Sequence, residues 1–325
     1  MVSYVEAEHL VGPLHQRKGS PFSTPSSVLI RQDHTAAYPI KDLPILLAPE
    51  ILTPKEFHHD LADPRWAEAY DEMSFYNSAA DEDDFARQAE QILATASSST
   101  FPGREWADAP YDFPAQLDAY RHLDPVQGAI IAQLGGKGLH AMKLLLAGAR
   151  EGWLITPMIG EGLYACRLAS KLHLADRFNA VVAVAEQLPF EDSVFDRIYS
   201  GGSVHHMDCA TAATEIARTL TTGGRFAAVD PWKTCLHTFG TALLGQREKG
   251  EVHCHPLTAE RLRPFKEAFG ECNVKQHGPL LRYIALGLQA GHVRIKYSDG
   301  LAALDDAMPA MRRFGGSLAL LAVKR

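Results

Sequence analysis

The 325-residue chain lacks any apolar run of membrane-spanning length, which sets aside a transmembrane helix. Its opening residues, MVSYVEAEHL, lack the charged-then-apolar order of a secretory leader, so the expected compartment is the cytoplasm. Cysteine is sparse and unpatterned. Cys166, Cys209, Cys235, Cys254 and Cys272 are odd in number and show no CxxC spacing, which fits reduced thiols better than a disulfide framework. Positive charge is also short: 32 Lys and Arg stand against 39 Asp and Glu, a net charge of −7. Nucleic acids and anionic membranes need a basic face, so neither is an expected partner. No repeat period is visible. What remains is a chain of 46% hydrophobic and 22% charged residues, long enough for one large domain with an appendage.

The organising stretch runs from Gly128 to Trp232. An apolar run at Ala129–Leu134 predicts a buried strand, closed by Gly135, Gly136 and Gly138, with a helix from about Leu139. Strand, glycine turn and helix together make a cradle, because glycines admit close backbone approach and a helix start offers free N–H groups. The same pattern also serves as an ordinary strand–helix connection. Further strands are predicted at Gly152–Met158, Asn179–Ala185, Phe195–Ser200 and Arg225–Asp230. Helices are predicted at Leu163–Leu174 and Thr211–Leu220, the latter stopping at Gly223-Gly224. Short apolar strands alternating with helices imply a doubly wound α/β fold with a mostly parallel sheet. Ligands on such sheets sit beyond the carboxyl ends of the strands, here Gly135, Thr156, Glu186, Gly201 and Asp230.

Glu186-Gln187-Leu188-Pro189-Phe190, Phe195-Asp196, His206, Glu215-Ile216-Ala217-Arg218 and Gly223-Gly224-Arg225-Phe226 occur in that order. With these motifs the chain resembles the class I S-adenosylmethionine-dependent methyltransferases, closest in style to the ubiquinone/menaquinone group. The resemblance covers about a third of the chain. It implies a Rossmann-like methyltransferase fold, S-adenosylmethionine as cofactor, and LGGKGLHA as the glycine-rich cofactor loop. The first half departs from the family pattern. Gln133 stands where an acid normally precedes the first glycine. Thr156 and Pro157 stand where an acid grips the ribose hydroxyls, and Val184 replaces the Asp near the adenine. A charged hydrogen bond contributes about 1.5–3 kcal/mol, so three losses bear on affinity. Either Glu161, Glu186 and backbone groups hold the cofactor, or something else occupies the crevice. The cofactor set on this reading is Gln133, Gly135, Gly136, Gly138, Thr156, Glu161, Glu186 and Gly201.

Three units are expected. Residues 1–60 read as a small β-rich unit, with strand-like runs at Ser26–Arg31 and Ala36–Ala48. The second run resembles the tail of the small zinc-ribbon methyltransferase-activator family, without its cysteines. Residues 61–126 read as a helical cap or linker. An acidic helix start lies at Asp81–Asp84, and Pro114 opens a helical stretch to His122. Residues 127–325 are the methyltransferase-like core. It closes with a helix at Thr258–Phe269, a strand at Glu271–Gln276, a helix at Leu301–Arg313 and a final strand at Ser317–Val323. That last strand suits the antiparallel edge hairpin of the resembled family.

Candidate chemistry clusters at strand ends. His205 and His206 follow the fourth strand; His206 is the candidate base, with His205 or Asp230 orienting it. Tyr70, Tyr76 and Trp232 are candidates for lining the substrate pocket, Tyr111 and Tyr120 belong to the same set, and core packing is the competing role for all of them. His253, Cys254 and His255 form a triplet that could join His206 around zinc or iron, although no i, i+4 His pair or CxxC supports a metal, and none is assigned. The leading reading is methyl transfer to a small-molecule acceptor. A non-methylating, metal-dependent or cofactor-free enzyme on the same fold is the alternative, and a non-catalytic partner subunit the third. A homodimer is compatible with each.

Overall fold

The strand-forming runs between Ile130 and Pro231 are mostly apolar and each is separated from the next by a helix or a crossover, the pattern that suits parallel pairing. The computed structural model describes residues 4–6, 29–31, 82–107, 112–234, 256–278 and 307–325. In chain order its strands are β1 (Tyr4–Glu6), β2 (Leu29–Arg31), β3 (Ile130–Leu134), β4 (Glu151–Thr156), β5 (Phe178–Val182), β6 (Phe195–Gly201), β7 (Leu220–Pro231), β8 (Glu271–His277) and β9 (Ser317–Val323). Its α-helices are α1 (Glu82–Ser98), α2 (Phe113–Leu123), α3 (Leu139–Leu146), α4 (Ile159–Lys171), α5 (Cys209–Thr219) and α6 (Arg263–Ala268).

The main sheet has seven strands in the order β5-β4-β3-β6-β7-β9-β8. β5, β4, β3, β6 and β7 pair in parallel, and β9 lies antiparallel between β7 and β8. This is the α/β architecture with an antiparallel edge hairpin that the sequence leads one to expect. The order reverses at β3, which is where such sheets open a crevice. Two apolar layers cover the faces. Tyr120, Leu144, Leu168 and Tyr199 belong to one, and Phe190, Phe195, Ile216, Phe226 and Phe265 to the other. β1 and β2 form a separate two-stranded antiparallel pair. Among the described residues no helix is long and apolar enough to cross a membrane.

Several boundaries differ from expectation, each for a local reason. β4 ends at Thr156 because Pro157 has no N–H to continue the ladder. α4 begins at Ile159, running through two glycines, four residues before the apolar periodicity becomes regular. β5 stops at Val182, and residues 183–185 leave the sheet. α5 ends at Thr219 and β7 begins at Leu220, so Gly223 and Gly224 lie within the strand, where the register against β6 shifts. Pro264 shortens the expected Thr258–Phe269 helix to Arg263–Ala268. Of the expected Leu301–Arg313 helix, the described part is a 3-10 turn, Pro309–Phe314. The run at Ala36–Ala48 lies outside the described residues.

Two of the family-like motifs prove to be braces. The Arg218 guanidinium donates to the carboxylates of Glu215 (2.8 Å) and Asp192 (2.8 Å) and to the carbonyls of Phe190 (2.8 Å) and Leu188 (3.0 Å). Glu215 also accepts from the Leu188 N–H at 2.9 Å. Together they fix the Leu188–Asp192 loop onto α5. Asp196 accepts from the Ile130 N–H (2.9 Å) and from the Thr221 hydroxyl (3.3 Å), joining β3, β6 and β7 at their starts. On the other face, Arg197 and Arg225 donate to the carbonyls of His122, Leu123, Asp124 and Pro125, which supplies cations to the end of α2.

Arg218→Ala removes several charge-assisted bonds from a side chain only 21% exposed and strands the Glu215 carboxylate. It is expected to lower unfolding free energy by about 2–4 kcal/mol in urea denaturation, with Arg218→Lys falling between, since an ammonium cannot reproduce the planar fork.

Candidate functional site

The carboxyl ends of β3, β4 and β6, with the segment after β5, surround a cleft of about 800 Å³ counting its open mouth. Gly135 and Gly136 form its floor, Pro157, Met158 and Glu161 one side, Ala183–Glu186 one end, and Gly201–Ser203 with His206 and Met207 the other. The sequence-predicted crevice and the observed cleft therefore coincide, and Gly135, Gly136, Glu161, Glu186, Gly201 and His206 meet in it.

The loop is held in shape by Gln133. Its amide nitrogen donates to the Gly135 carbonyl (2.8 Å) and its amide oxygen accepts from the Ala141 N–H (2.9 Å). Both ends of the amide are thus engaged within the loop and the first turn of α3. Gly135, Gly136 and Gly138 all have positive φ. At Gly138, φ is 78° and a Cβ would come within 2.9 Å of the Ala165 Cβ, so the loop can lie against α4 only with glycine there.

Glu161 lies in the first turn of α4 and is 7% exposed. Its carboxylate accepts from the Thr156 hydroxyl at 2.8 Å and bonds the Gly136 N–H. Burial pushes its carboxyl above the usual glutamate value, against the opposing pull of Thr156, the Lys137 ammonium and the Gly136 N–H. Thr156 is fully buried and also accepts from the Met158 N–H at 3.2 Å, so its hydroxyl works behind Glu161. At the end after β5, Val184 presents an apolar wall, and Glu186 accepts from the Asp208 N–H at 2.9 Å.

Beyond β6 the chain makes a 3-10 turn, Val204–His206. Asp230 Oδ1 accepts from both the backbone N–H (3.1 Å) and Nδ1 (2.7 Å) of His205. The Arg261 guanidinium donates to the carbonyls of His205 and Met207. These bonds bury His205 and leave His206 on the cleft wall, the two rings 3.9 Å apart. Trp232 is partly buried and packs with the layer containing Phe226. Cys166 is partly buried beside α4's apolar neighbours, and desolvation pushes its thiol up to about 12. Tyr70, Tyr76, Tyr111, His253, Cys254 and His255 lie outside the described residues, among which no group of three or more His, Cys, Asp and Glu is arranged to hold a metal ion.

Sequence reasoning overlooked His140 and Tyr199. His140 accompanies Tyr199 on one face of the sheet, with ring centroids 4.4 Å apart, and its Nδ1 lies 2.5 Å from the Tyr120 hydroxyl. A signal existed: Tyr199 is two residues before Gly201 on a strand, hence on the same face.

A family model described as a methyltransferase domain matches residues 161–228. The chain is 27% identical over 227 residues to a ubiquinone/menaquinone biosynthesis C-methyltransferase of Rhizobium leguminosarum bv. trifolii, covering 62% of this chain and 77% of that protein. It is 29% identical over 119 residues to an uncharacterized methyltransferase of Mycobacterium tuberculosis, covering 34% of this chain and about half (46%) of that relative. Among solved structures, geranyl diphosphate C-methyltransferase from Streptomyces coelicolor A3(2) aligns with TM-score 0.48 at 16% identity, over 65% of this chain and 78% of that one.

The raised Glu161 carboxyl has a stability consequence. The folded state binds this proton more tightly than the unfolded chain, so the wild type loses stability as pH rises from 4.5 through the folded value. Glu161→Gln keeps an oxygen for Thr156 and carries no charge. In thermal denaturation it is expected to melt above the wild type at neutral pH, with the difference vanishing below pH 4.5.

Proposed function

We propose that this chain, which carries a methyltransferase domain of the class I, S-adenosylmethionine-dependent kind, transfers a methyl group to a small-molecule acceptor, with Glu161 standing in for the missing ribose-binding acid. The observation that carries the reading is the buried Glu161 carboxylate, in the first turn of α4 and bonded to Thr156 at the end of β4. It keeps an acceptor-rich, desolvated group where the ribose hydroxyls of such a cofactor would donate. The remaining residues fit the group as well. The glycine loop admits close approach at the start of α3, and Ala183, Val184 and Met158 offer apolar walls to an adenine ring.

Bound S-adenosylmethionine supplies an electrophilic methyl on a sulfonium. The chain's own part is then orientation and proton handling. His206, on the cleft wall, is the candidate acceptor of the proton released by the nucleophile. Asp230 and His205 act behind it: by fixing the 3-10 turn they set where His206 points. Gln133 and Thr156 likewise act indirectly, on the loop and on Glu161. On this reading the acceptor is small and the work is done in the cytoplasm.

A second reading, a non-methylating enzyme on this fold, draws on Val184, which gives the adenine amine no acid. Calorimetric titration with S-adenosylmethionine and S-adenosylhomocysteine separates the two. The methyltransferase reading expects micromolar binding, weakened roughly 10- to 100-fold in Glu161→Gln by loss of charged hydrogen bonds. It also expects label transfer from methyl-labelled cofactor into a panel of phenol, amine and enolate acceptors, reduced roughly 100-fold or more by His206→Ala. Absence of binding at millimolar ligand favours the second reading.

A further inference from the structure

β8 is an outer strand of the seven-stranded sheet, and among the described residues it pairs only with β9. Its seven residues, Glu271–His277, therefore carry an unpaired row of outward backbone N–H and C=O groups. Proteins often blunt such an edge with a bulge or a proline. β8 has neither: it matches β9 one-to-one without a register shift, and ECNVKQH contains no proline. Its side chains alternate. Cys272 and Val274 pack on the layer containing Phe226 and Phe265, while Glu271, Asn273 and Lys275 are exposed on the other face. Lys275 is 53% exposed even with an Asp118 carboxylate oxygen 3.2 Å from its ammonium. No ion pair among the described residues engages Glu271.

The order Glu271, Asn273, Lys275 is complementary to its own reverse. Two β8 edges related by a twofold axis perpendicular to the sheet run antiparallel and keep every side chain on its own face. An axis at Asn273 sets Glu271 of each copy opposite Lys275 of the other, with Asn273 facing its twin and Cys272 facing Val274. Opposite charges directly across an antiparallel pair stabilise it. An axis one residue earlier sets Glu271 against Asn273 and Lys275 against Phe269, which lies outside the strand. An axis one residue later sets Glu271 against His277, which is 9% exposed and already bonded to Asp118. Only the Asn273 axis pairs both charges. Self-complementarity singles out a second copy of the chain as the occupant, and a twofold contact consumes both edges, so assembly closes at two. We propose that this chain dimerises through β8, the two sheets joining into one across an antiparallel pair centred on Asn273. A single strand edge is small beside the roughly 1,200–2,000 Å² of a standard interface, so the dimer is reversible, with a Kd on the order of micromolar.

Sedimentation velocity on the full chain, from low micromolar to several hundred micromolar, is expected to show a monomer–dimer equilibrium and no larger species. Glu271→Lys, which sets lysine against lysine twice, is expected to weaken the dimer roughly tenfold or more, and so is Lys275→Glu. Mixed in equal amounts, the two variants are expected to regain wild-type association, because each then meets its opposite across the edge. Asn273→Cys tests the register. Facing residues of an antiparallel pair have α-carbons about 4.5–5.5 Å apart, within disulfide reach, so mild oxidation is expected to give a covalent dimer whose cross-link maps to position 273. Glu271 and Asn273 are exposed, so their variants decide the matter if Lys275→Glu fails to fold for want of the Asp118 pair. A monomer throughout the range, a dimer indifferent to both charge variants, a mixture no tighter than its parts, or a cross-link at Cys272 in place of position 273 overturns the proposal. A ladder of larger oligomers, the mark of an open-ended contact, overturns it too.

Discussion

Gln133, 2% exposed at the end of β3, gives its amide hydrogen to the Gly135 carbonyl and takes one from the Ala141 N–H. The glycine loop, the start of α3 and the floor of the cleft are all positioned by these two bonds. A carboxylate at the same place could accept from Ala141 but could not donate to Gly135. The Gln133 amide therefore makes a two-way tie that a carboxylate could not, and the loop is self-supporting. An uncharged residue here also spares the buried end of β3 the cost of desolvating an anion.

β4 closes on Thr156 and Pro157 without a carboxylate, and Glu161 in the first turn of α4 stands against that strand end. A helix start tolerates an anion well, and Glu161 gains the Gly136 N–H and the Thr156 hydroxyl as further partners. The loop and the strand end thereby share one carboxylate. Its burial holds the carboxyl above its ordinary value, against the pull of Thr156, the Lys137 ammonium and the Gly136 N–H.

The sheet was legible because its strands are apolar runs of strand length between glycine or proline breaks, and Ser317–Val323 matches the observed β9 to the residue. Gly135 and Gly201 at strand ends, and Glu186 and His206 just beyond them, were legible for the same reason: the fold class fixes where the crevice opens. Roles were harder to read. Gln133, Thr156 and His205 hold other groups in place, and a one-dimensional pattern does not distinguish a contact from its support. Glu215 and Arg218 belong to a motif associated with the family, yet Glu215 accepts from the Leu188 N–H and Arg218 donates to the Leu188 and Phe190 carbonyls, in a loop some thirty residues earlier. His140 went unnoticed because its meaning depends on Tyr120 and Tyr199, which only tertiary packing brings to it.

The placement of β9 between β7 and β8 carries a consequence for how the chain is made. The described residues that line the cleft have all left the ribosome by Met207, and the five parallel strands by Pro231. The strand that covers the β7 edge emerges only with Ser317. Until then β7 ends the sheet as an open ladder of apolar residues, Phe226 to Val229, the kind of edge that recruits other chains. The nascent protein passes through an interval in which the strands around the cleft have already emerged while the β7 edge still waits for Ser317–Val323 to be translated.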